Sequence, residues 1–242
     1  MKTASAAVLI PTYNEAGNIR ELLDEVLHLF DEEGVEGFIM IIDDGSPDGT
    51  AGIVAEYAAR DGRVRLLNRG RKMGIGSAYR DGFRLLLGGE TGVEVAVTMD
   101  ADRSHGPEIM LELLRKISEG YDVVIASRYV RGGRWSAGFV RKIISRGANI
   151  LARLATGLGV RDLTSGYRAY RVEHLKNLDL ERLERGYVFQ VQVLYELSRY
   201  GVKVAEIPLV FRSRAAGASK LTPGEMASFF KWCVKTLLRR LI

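Results

Sequence analysis

Cysteine is almost absent from this chain of 242 residues, which contains Cys233 and no other. A single cysteine excludes an internal disulfide, and a chain of this length buries enough surface to be stable without one. Histidine is also scarce. The three histidines show no zinc-ligand spacing, and no GxSxG turn is present, so the sequence favours neither a zinc enzyme nor a hydrolase of that type. We expect a protein of a reducing, cytoplasmic setting.

Long apolar runs are missing as well. No uninterrupted apolar stretch reaches the roughly 18 residues that a membrane-spanning helix needs. The N-terminal apolar run, residues 6–10, ends at Pro11 and is too short for a secretory signal. The sequence also contains no internal repeat, low-complexity tract or Pro/Ser-rich linker. We therefore expect one principal domain with neither a signal peptide nor a transmembrane helix.

The composition does contain a small excess of positive charge. Lys and Arg number 35 and Asp and Glu 30, which gives a net charge of +5 and a pI near 9.3. With 47% hydrophobic and 27% charged residues, the composition is that of a folded globular protein and not of a disordered chain, collagen or a coiled coil. A basic balance favours an anionic partner, and nucleic acid, nucleotide and acidic lipid are all possible at this point.

The first half of the chain alternates short apolar runs with amphipathic segments. The apolar runs are rich in Val, Ile and Leu, as in parallel strands that are buried on both faces. The segments between them place apolar residues at helical spacing. This alternation predicts an α/β fold with a mostly parallel central sheet. The predicted strands are residues 6–10, 38–42, 64–67, 93–99 and 123–126, and the predicted helices are residues 18–30, 51–60 and 108–119.

Polar clusters follow three of these strands: PTYNE the first, DDGSPDGT the second and DADRSHG the fourth. Because carboxyl ends of strands border the ligand crevice of an open α/β sheet, the three clusters should converge. Asp100 and Asp102 are two residues apart on extended backbone, so both carboxylates can face one divalent cation. The alternative is that this segment is only an acidic turn with a helix cap. The other two clusters argue against that alternative.

The first two clusters carry candidate nucleotide contacts. A carboxylate at Asp43 or Asp44 can accept hydrogen bonds from a base edge or from ribose hydroxyls, whereas Asp48 and Thr50 are typical turn and cap residues. PTYNE offers an aromatic ring and a carboxylate, or it is merely a strand-to-helix turn. The GIGSA segment, residues 74–78, lacks the third glycine of a dinucleotide loop and the GK of a P-loop, so we expect it to serve close helix packing.

The chain closely resembles inverting family-2 glycosyltransferases, particularly the dolichol- or polyprenol-phosphate mannose synthases, in a series of segments: PTYNE, DDGSPDGT, GIGSAYRDG, DAD, ASRYVRGG, DLTSGYR and GYVFQ. The resemblance covers about residues 5–222. It implies a nucleotide-diphospho-sugar transferase fold (GT-A, Rossmann-like). It also implies GDP-mannose as donor, a polyprenyl or dolichyl phosphate as acceptor, and Mg²⁺ or Mn²⁺ as cofactor.

The same resemblance implies roles for individual residues. The catalytic residues would be Asp100, Asp102 and Arg128. The family often has DADLQH, with Gln helping at the metal, whereas this chain has DADRSH, so the Ser104 hydroxyl or a water would complete the coordination. The metal would be held by Asp100, Asp102 and Ser104. The nucleotide sugar would be held by Pro11, Tyr13, Glu15, Ile42, Asp44, Asp100, Ala101 and Asp102.

A basic segment, residues 127–146, contains six Lys or Arg and no Asp or Glu, with aromatic residues between them. A solvated loop and a nucleic-acid groove are alternatives, but an arginine fork also binds the oxygens of a lipid phosphate bidentately. Such a phosphate is ionised at pH 7 and needs no side-chain base, whereas a sugar-hydroxyl acceptor would need one, for which Asp162 is a candidate. The resemblance selects Arg128, Arg141, Ser145, Arg214 and Lys220 as the phosphate-side residues.

Two segments have the character of interfacial helices. Residues 140–158 place apolar side chains on one side, and residues 223–242 combine aromatic and aliphatic residues with only basic charges after Glu225. We expect residues 1–222 to form the catalytic domain and residues 223–242 an amphipathic helix at the membrane interface. The alternative is a helix docked on its own domain or on a partner subunit. The protein would then be peripheral on the cytoplasmic face of a membrane, and a separate membrane-anchoring subunit is conceivable.

The leading hypothesis is transfer of mannose from GDP-mannose to a polyprenyl phosphate with inversion. Its nearest rival is the same chemistry with UDP-glucose or another nucleotide sugar, because a carboxylate at Asp44 can accept from guanine or from uracil. A third hypothesis, of another class, is a non-catalytic basic module that binds a membrane or nucleic acid. Ser104 is the one hint of it, and the paired aspartates argue against it. We do not expect nucleic acid as a partner.

Overall fold

Strands and helices alternate along the chain, as the hydrophobic pattern predicts. The computed structural model describes residues 4–89, 91–136, 138–211 and 222–241. The strands are β1 (Ala6–Thr12), β2 (Gly37–Asp43), β3 (Val64–Asn68), β4 (Val95–Thr98), β5 (Val123–Ser127), β6 (Arg134–Trp135), β7 (Arg168–Arg171), β8 (Val204–Pro208) and β9 (Val210–Phe211). The α-helices are α1 (Ala16–Glu33), α2 (Thr50–Ala58), α3 (Ile75–Gly88), α4 (Ile109–Ser118), α5 (Phe139–Thr156), α6 (Val172–Leu175), α7 (Val188–Ser198) and α8 (Pro223–Leu241).

One sheet has the strand order β3-β2-β1-β4-β7-β5-β8, and β6 and β9 form a separate ribbon. Neighbours in the large sheet are parallel except β7, which is antiparallel to both β4 and β5. The five predicted strands are present with ends within two residues of expectation, and the mostly parallel α/β sheet is confirmed. β7 and β8 were not predicted. Their sequences, RAYR and VAEIP, contain charged residues and do not form apolar runs.

Helices cover both faces of the large sheet and create two hydrophobic cores. Successive side chains of a strand point to opposite faces, so in β1 Val8 belongs to one core and Leu9 to the other. α1 and α4 pack on the first face, and α3, α5, α7 and α8 contribute to the second. The central strands are buried on both sides, which explains why their sequences are continuously apolar.

The antiparallel strand β7 carries a fully buried arginine, Arg168. Its guanidinium donates to the backbone carbonyl oxygens of Leu163, Ser165 and Gln190 at 2.7, 2.8 and 2.6 Å. A buried cation is tolerated only where its N–H groups have acceptors, and these three carbonyls provide them. Arg168 therefore ties the segment before β7 to the first turn of α7.

Helices α5 and α8 pack against each other beside the second core. α8 buries Cys233 and Thr236. Its Arg240 side chain donates to the carbonyl oxygens of Leu154 and Ala155 at 3.3 Å each, so it satisfies acceptors in the last turn of α5. Among the described residues, no helix combines the length and the apolar character needed to cross a membrane.

We expect Arg168→Met to lower the free energy of unfolding by about 3 kcal/mol or more, because three buried carbonyls lose their donor. Denaturant unfolding measures this change. Arg20→Met is the matched control: its exposed ion pair with Glu56 should contribute less than about 1 kcal/mol. Equal stability of the two variants would show that the Arg168 contacts do not hold the fold together.

Candidate active site

The carboxyl ends of β1, β2 and β4 meet at one edge of the sheet, as their parallel order requires. Thr12 Oγ1 donates to Asp43 Oδ1 at 2.8 Å, and Ser46 N–H donates to Asp43 Oδ2 at 2.8 Å. Asp43 is fully buried. Its carboxylate therefore joins the loops after β1 and β2 and does not face a ligand, contrary to the binding role considered for it from the sequence.

Asp44 is held by a network that the sequence did not predict. Arg69 Nε donates to Asp44 Oδ1 at 2.7 Å, and Arg69 Nη2 contacts the same oxygen. The backbone N–H groups of Met73 and Gly74 donate to Asp44 Oδ2 at 2.9 and 3.1 Å. Asp44 thus fixes the loop that leads into α3, whatever else it binds. The signal for Arg69 was its position directly after β3, where the other parallel strands carry polar site residues.

Two local expectations from the sequence are confirmed. Asp48 Oδ1 accepts hydrogen bonds from the N–H and the hydroxyl of Thr50 at 3.1 and 2.6 Å, as expected of a turn and cap pair. A side chain at Gly76 would place its Cβ 2.6 Å from the Glu184 carbonyl oxygen and 2.7 Å from Phe189 Cβ. Gly76 therefore allows α3 to pack closely on the first turn of α7 and on the segment before it.

The remaining nucleotide-side candidates lie around the end of β1. Tyr13 is partly exposed, and Lys72 Nζ lies 4.5 Å from its ring centroid. Glu15 is buried. Pro11 is partly exposed, and its register partner Ile42 is fully buried in the second core. Ile42 can therefore reach a ligand only through its main-chain atoms.

The turn formed by Asp100, Ala101 and Asp102 follows β4 after one residue, Met99. Asp102 Oδ1 accepts from the N–H and the hydroxyl of Ser104 at 3.1 and 2.5 Å. Ser104 is fully buried, so its hydroxyl orients the Asp102 carboxylate. Ala101 is also buried, whereas the Asp100 side chain is 31% exposed and lines a cavity.

His105 lies beside Asp100 and was considered from the sequence only as a zinc ligand. Its Nδ1 accepts from the Asp100 N–H at 3.3 Å, and its Nε2 lies 3.8 Å from Asp100 Oδ2. The ring stacks on Tyr167 with centroids 4.9 Å apart. Burial lowers the pKa of His105, so the ring is neutral at pH 7 and carries its proton on Nε2, toward the carboxylate. His105 is therefore suited to positioning Asp100.

The donor atoms at this turn fit a divalent cation that is shared with a substrate. Within the described part of the chain, no group of three or more His, Cys, Asp or Glu side chains is arranged to hold a metal ion. Two carboxylates, Asp100 and Asp102, are nevertheless what Mg²⁺ or Mn²⁺ takes from a protein when phosphate oxygens and waters supply the other ligands. The residues present therefore fit a cation bound together with a diphosphate.

A cavity of about 390 Å³ is bounded by Asp100 at one side and by α5 and α8 at the other. The basic and hydroxyl groups of Arg128, Arg141 and Ser145 line it. Three of the five residues predicted for the acceptor phosphate thus come together near Asp100, while Arg214 and Lys220 lie outside the described residues. The apolar lining that α5 and α8 contribute consists of Ile144, Ala148, Leu151, Met226, Phe229 and Phe230.

Arg128 forms a bidentate ion pair with Asp162 at the cavity wall. Arg128 Nε and Nη2 donate to the two Asp162 oxygens at 2.8 and 2.7 Å, and the Arg128 N–H donates at 3.0 Å. Burial alone would raise the pKa of Asp162, but these contacts hold it below its usual range. Asp162 is fully buried and ionised. This arrangement contradicts the general-base role that the sequence left open for Asp162.

An aromatic ring connects the two cavity arginines. The guanidinium carbons of Arg128 and Arg141 lie 4.8 and 5.9 Å from the ring centroid of Trp135. Cation–π attraction favours this placement of two like charges on one ring. Ser145 is oriented as well, because its Oγ accepts from the Tyr129 hydroxyl at 2.8 Å.

Large apolar side chains are exposed on α5 and α8, next to the apolar walls of the cavity. Phe139 and Val140 of α5 are 77% and 69% exposed, and Phe230 and Leu238 of α8 are 60% and 54% exposed. Basic residues of α8 lie among them, namely Lys231, Lys235 and Arg239. An exposed apolar surface with basic neighbours is typical of a site that meets a membrane or another molecule.

Comparison with known sequences gives a consistent result. The profile described as Glycosyl transferase family 2 matches residues 7–179. The chain is 40% identical over 225 residues to polyprenol monophosphomannose synthase of Mycolicibacterium smegmatis. The aligned region covers 91% of this chain and 82% of that protein. It is also 40% identical over 220 residues to undecaprenyl-phosphate mannosyltransferase of Micrococcus luteus, covering 89% and 87% of the two chains.

Comparison with solved structures confirms the expected GT-A fold. Glucosyl-3-phosphoglycerate synthase of Mycobacterium tuberculosis, in complex with Mn²⁺, UDP and glucosyl-3-phosphoglycerate, matches with a TM-score of 0.70 and 23% identity, over 98% of this chain and 80% of that one. Mannosyl-3-phosphoglycerate synthase of Rubrobacter xylanophilus matches with a TM-score of 0.68 and 18% identity, over 98% and 74%.

We expect Asp102→Ala to abolish divalent-cation binding and turnover, because the cation loses one of two carboxylates. Ser104→Ala removes only a hydrogen bond to Asp102 and should weaken cation affinity about tenfold. Titration with Mn²⁺ in the presence of GDP, followed by electron paramagnetic resonance, measures both affinities. Equal losses in the two variants would contradict the separate roles of Asp102 and Ser104.

Proposed function

This chain belongs to glycosyl transferase family 2, and we propose that it transfers mannose from GDP-mannose to a polyprenyl phosphate. The observation that carries the proposal is one cavity lined by Asp100, by Arg128 and Arg141, and by the apolar side chains of α5 and α8. A polyprenyl phosphate has a phosphate at one end and hydrocarbon beyond it, and matches this lining. The names of two relatives at 40% identity, which cite polyprenol and undecaprenyl phosphate, support the same acceptor class.

On the donor side, we assign the diphosphate to Asp100 and Asp102 through a shared Mg²⁺ or Mn²⁺, which would neutralise the leaving diphosphate when bound. Ser104 holds the Asp102 carboxylate through a hydrogen bond, and His105 accepts a hydrogen bond from the Asp100 backbone N–H and so fixes the turn that carries the second carboxylate. The nucleoside would lie toward the ends of β1 and β2. Tyr13 offers an aromatic ring there. The other proposed nucleoside contacts are the main chain at Pro11 and Ile42 and the side chains of Glu15 and Asp44.

On the acceptor side, we assign the lipid phosphate to Arg128, Arg141 and Ser145. An ionised phosphate oxygen attacks the anomeric carbon from the face opposite the diphosphate. The new bond joins that carbon to the phosphate oxygen, the bond to the diphosphate oxygen breaks with its electron pair, and the configuration inverts. No proton must be removed, so orientation and charge neutralisation suffice. In this scheme Asp162, which is ionised and paired with Arg128, acts as the counter-ion of that arginine.

We also propose that the protein works as a peripheral protein at a membrane surface. α8 packs on α5 through one face and exposes apolar side chains on another. This arrangement is compatible with both the docked and the interfacial roles considered from the sequence. The apolar lining of the cavity and the exposed apolar surface belong to the same two helices. A lipid could then enter the cavity without leaving the bilayer. In this scheme residues 1–222 form the catalytic unit and residues 223–242 the membrane-facing helix.

The direct test offers GDP-mannose and UDP-glucose in parallel with a short polyprenyl phosphate, with and without Mg²⁺ or Mn²⁺. We expect a metal-dependent mannosyl lipid from GDP-mannose. A product formed from UDP-glucose alone would overturn the assignment of GDP-mannose as the donor, but it would still support glycosyl transfer to the lipid phosphate. If no lipid-linked sugar forms from either donor, the enzymatic proposal fails, and strong salt-dependent nucleic-acid binding would then favour a basic binding module.

We expect turnover to be nearly constant between about pH 6 and 8, because the acceptor phosphate is already ionised there and requires no base. The pKa of Asp162 is lowered, so this carboxylate also stays charged across that range. Initial rates at saturating substrates measure the profile. A steep change governed by a single ionisation inside this window would contradict transfer without a general base.

We expect the double variant Phe230→Ser, Leu238→Ser to bind vesicles containing anionic lipid at least tenfold more weakly, because each buried apolar side chain contributes about 1.5–3 kcal/mol. Co-sedimentation with vesicles measures the partition coefficient. Leu85→Ser, at a 42% exposed leucine of α3, is the matched control and should bind as the wild type does. Unchanged binding of the double variant would exclude α8 as the membrane-facing element.

A further inference from the structure

Two buried glutamines in α7 differ in whether the side-chain amide oxygen has a hydrogen-bond donor. Gln192 is satisfied on both sides of its amide: Oε1 accepts from the Glu184 N–H at 2.8 Å, and Nε2 donates to the Arg182 carbonyl at 3.0 Å. Gln190 is 6% exposed, and its Oε1 is buried without a hydrogen-bond partner among the described residues. A buried carbonyl oxygen left without a donor is unfavourable, so it points to a group that arrives with a ligand.

The Gln190 amide lies close to the polar end of the cavity. A Cβ built on Gly166 would be 3.6 Å from Gln190 Nε2 and 3.5 Å from Asp100 Oδ1. Gly166 and Asp100 both line the cavity. The Nε2 end of the Gln190 amide and the carboxylate of Asp100 therefore flank Gly166, and its missing side chain leaves space between them. Oε1 is bonded to the same carbon as Nε2.

The backbone around this space is firmly held. The Gln190 carbonyl accepts from Arg168 Nη1 at 2.6 Å, and the Gly166 carbonyl accepts from Thr98 Oγ1 at 2.7 Å. Both anchors are buried. An amide on such a support can discriminate between ligands, because it cannot easily move to accommodate a poor fit.

The chemistry of the substrates selects the ligand for this oxygen. Oε1 needs a donor, and ionised phosphate oxygens and hydrocarbon provide none. The nucleoside has donors, but its assigned place is at the ends of β1 and β2. The hydroxyl groups of the transferred sugar remain, and they are next to the diphosphate that we assign to Asp100. We propose that Gln190 accepts a hydrogen bond from a hydroxyl of the transferred hexose and so contributes to sugar selection. This inference rests on the proposed function.

The test compares Gln190→Leu with Gln192→Leu, a matched change two residues along the same helix. Calorimetry with GDP-mannose and with GDP, both with Mn²⁺, separates the sugar contribution from that of the nucleotide. Gln190→Leu should weaken the affinity for GDP-mannose about three- to tenfold and change the affinity for GDP by less than about twofold. Its melting temperature should not fall, because no hydrogen bond of Oε1 is lost. Gln192→Leu should melt earlier and keep the wild-type ratio of the two affinities.

Gly166→Ala provides a second and independent variant. Its methyl group would meet nothing closer than 3.5 Å, so the fold should tolerate it, but it occupies the space between Gln190 and Asp100. We expect a selective loss of GDP-mannose binding that resembles the loss in Gln190→Leu.

The outcomes separate this inference from the proposed function. A wild-type protein that binds neither GDP-mannose nor UDP-glucose overturns both. If the wild type binds only UDP-glucose, the same ratio is measured against UDP. A wild type that binds its donor, together with Gln190→Leu and Gly166→Ala variants that keep the wild-type ratio, overturns the role of Gln190 alone. An equal fall of the ratio in Gln192→Leu would show a structural effect and would also overturn it.

Discussion

The buried guanidinium of Arg168 is the interaction on which the site depends. It donates to three backbone carbonyls from two parts of the chain, residues 163 and 165 before β7 and residue 190 in α7. A buried cation must keep such acceptors, so the segment before β7 has little freedom to take another path. That path brings Asp162 to Arg128 and Gly166 to the side of Asp100. The segment that carries Asp162 and Gly166 and the first turn of α7 are therefore tied together by one side chain.

The charges of the site are separated, and the main ones are fixed by specific contacts. Asp44 is held by Arg69, Asp102 by Ser104, and Arg128 by Asp162. In a partly buried crevice such contacts keep each group oriented before any substrate arrives. The carboxylates gather at the strand ends, where the proposed cation and diphosphate belong, and the arginines face the cavity beside α5. This separation places opposite charges where a donor and an anionic acceptor would meet.

Helices α5 and α8 link the chemistry to the proposed membrane surface. Each buries part of its surface in the second core and exposes large apolar side chains elsewhere, so neither is simply a core helix or simply an anchor. The apolar cavity lining comes from the same helices that carry the exposed surface. A modest net charge of +5 is compatible with this arrangement, because basic residues are concentrated on these helices and on the segment before α5.

The sequence by itself determined the alternating strands and helices, because buried parallel strands and amphipathic helices each impose a local hydrophobic period. It also placed Asp100 and Asp102 just after the fourth predicted strand, because their position relative to an apolar run is a local property. Tertiary structure alone decided the antiparallel insertion of β7, the burial of Asp43 and the pairing of Asp162 with Arg128. It also decided the contact of Arg69 with Asp44 and the placement of Gln190 beside Asp100. These features join residues far apart in the chain, such as positions 128 and 162, and no local pattern encodes which distant partner satisfies a buried charge.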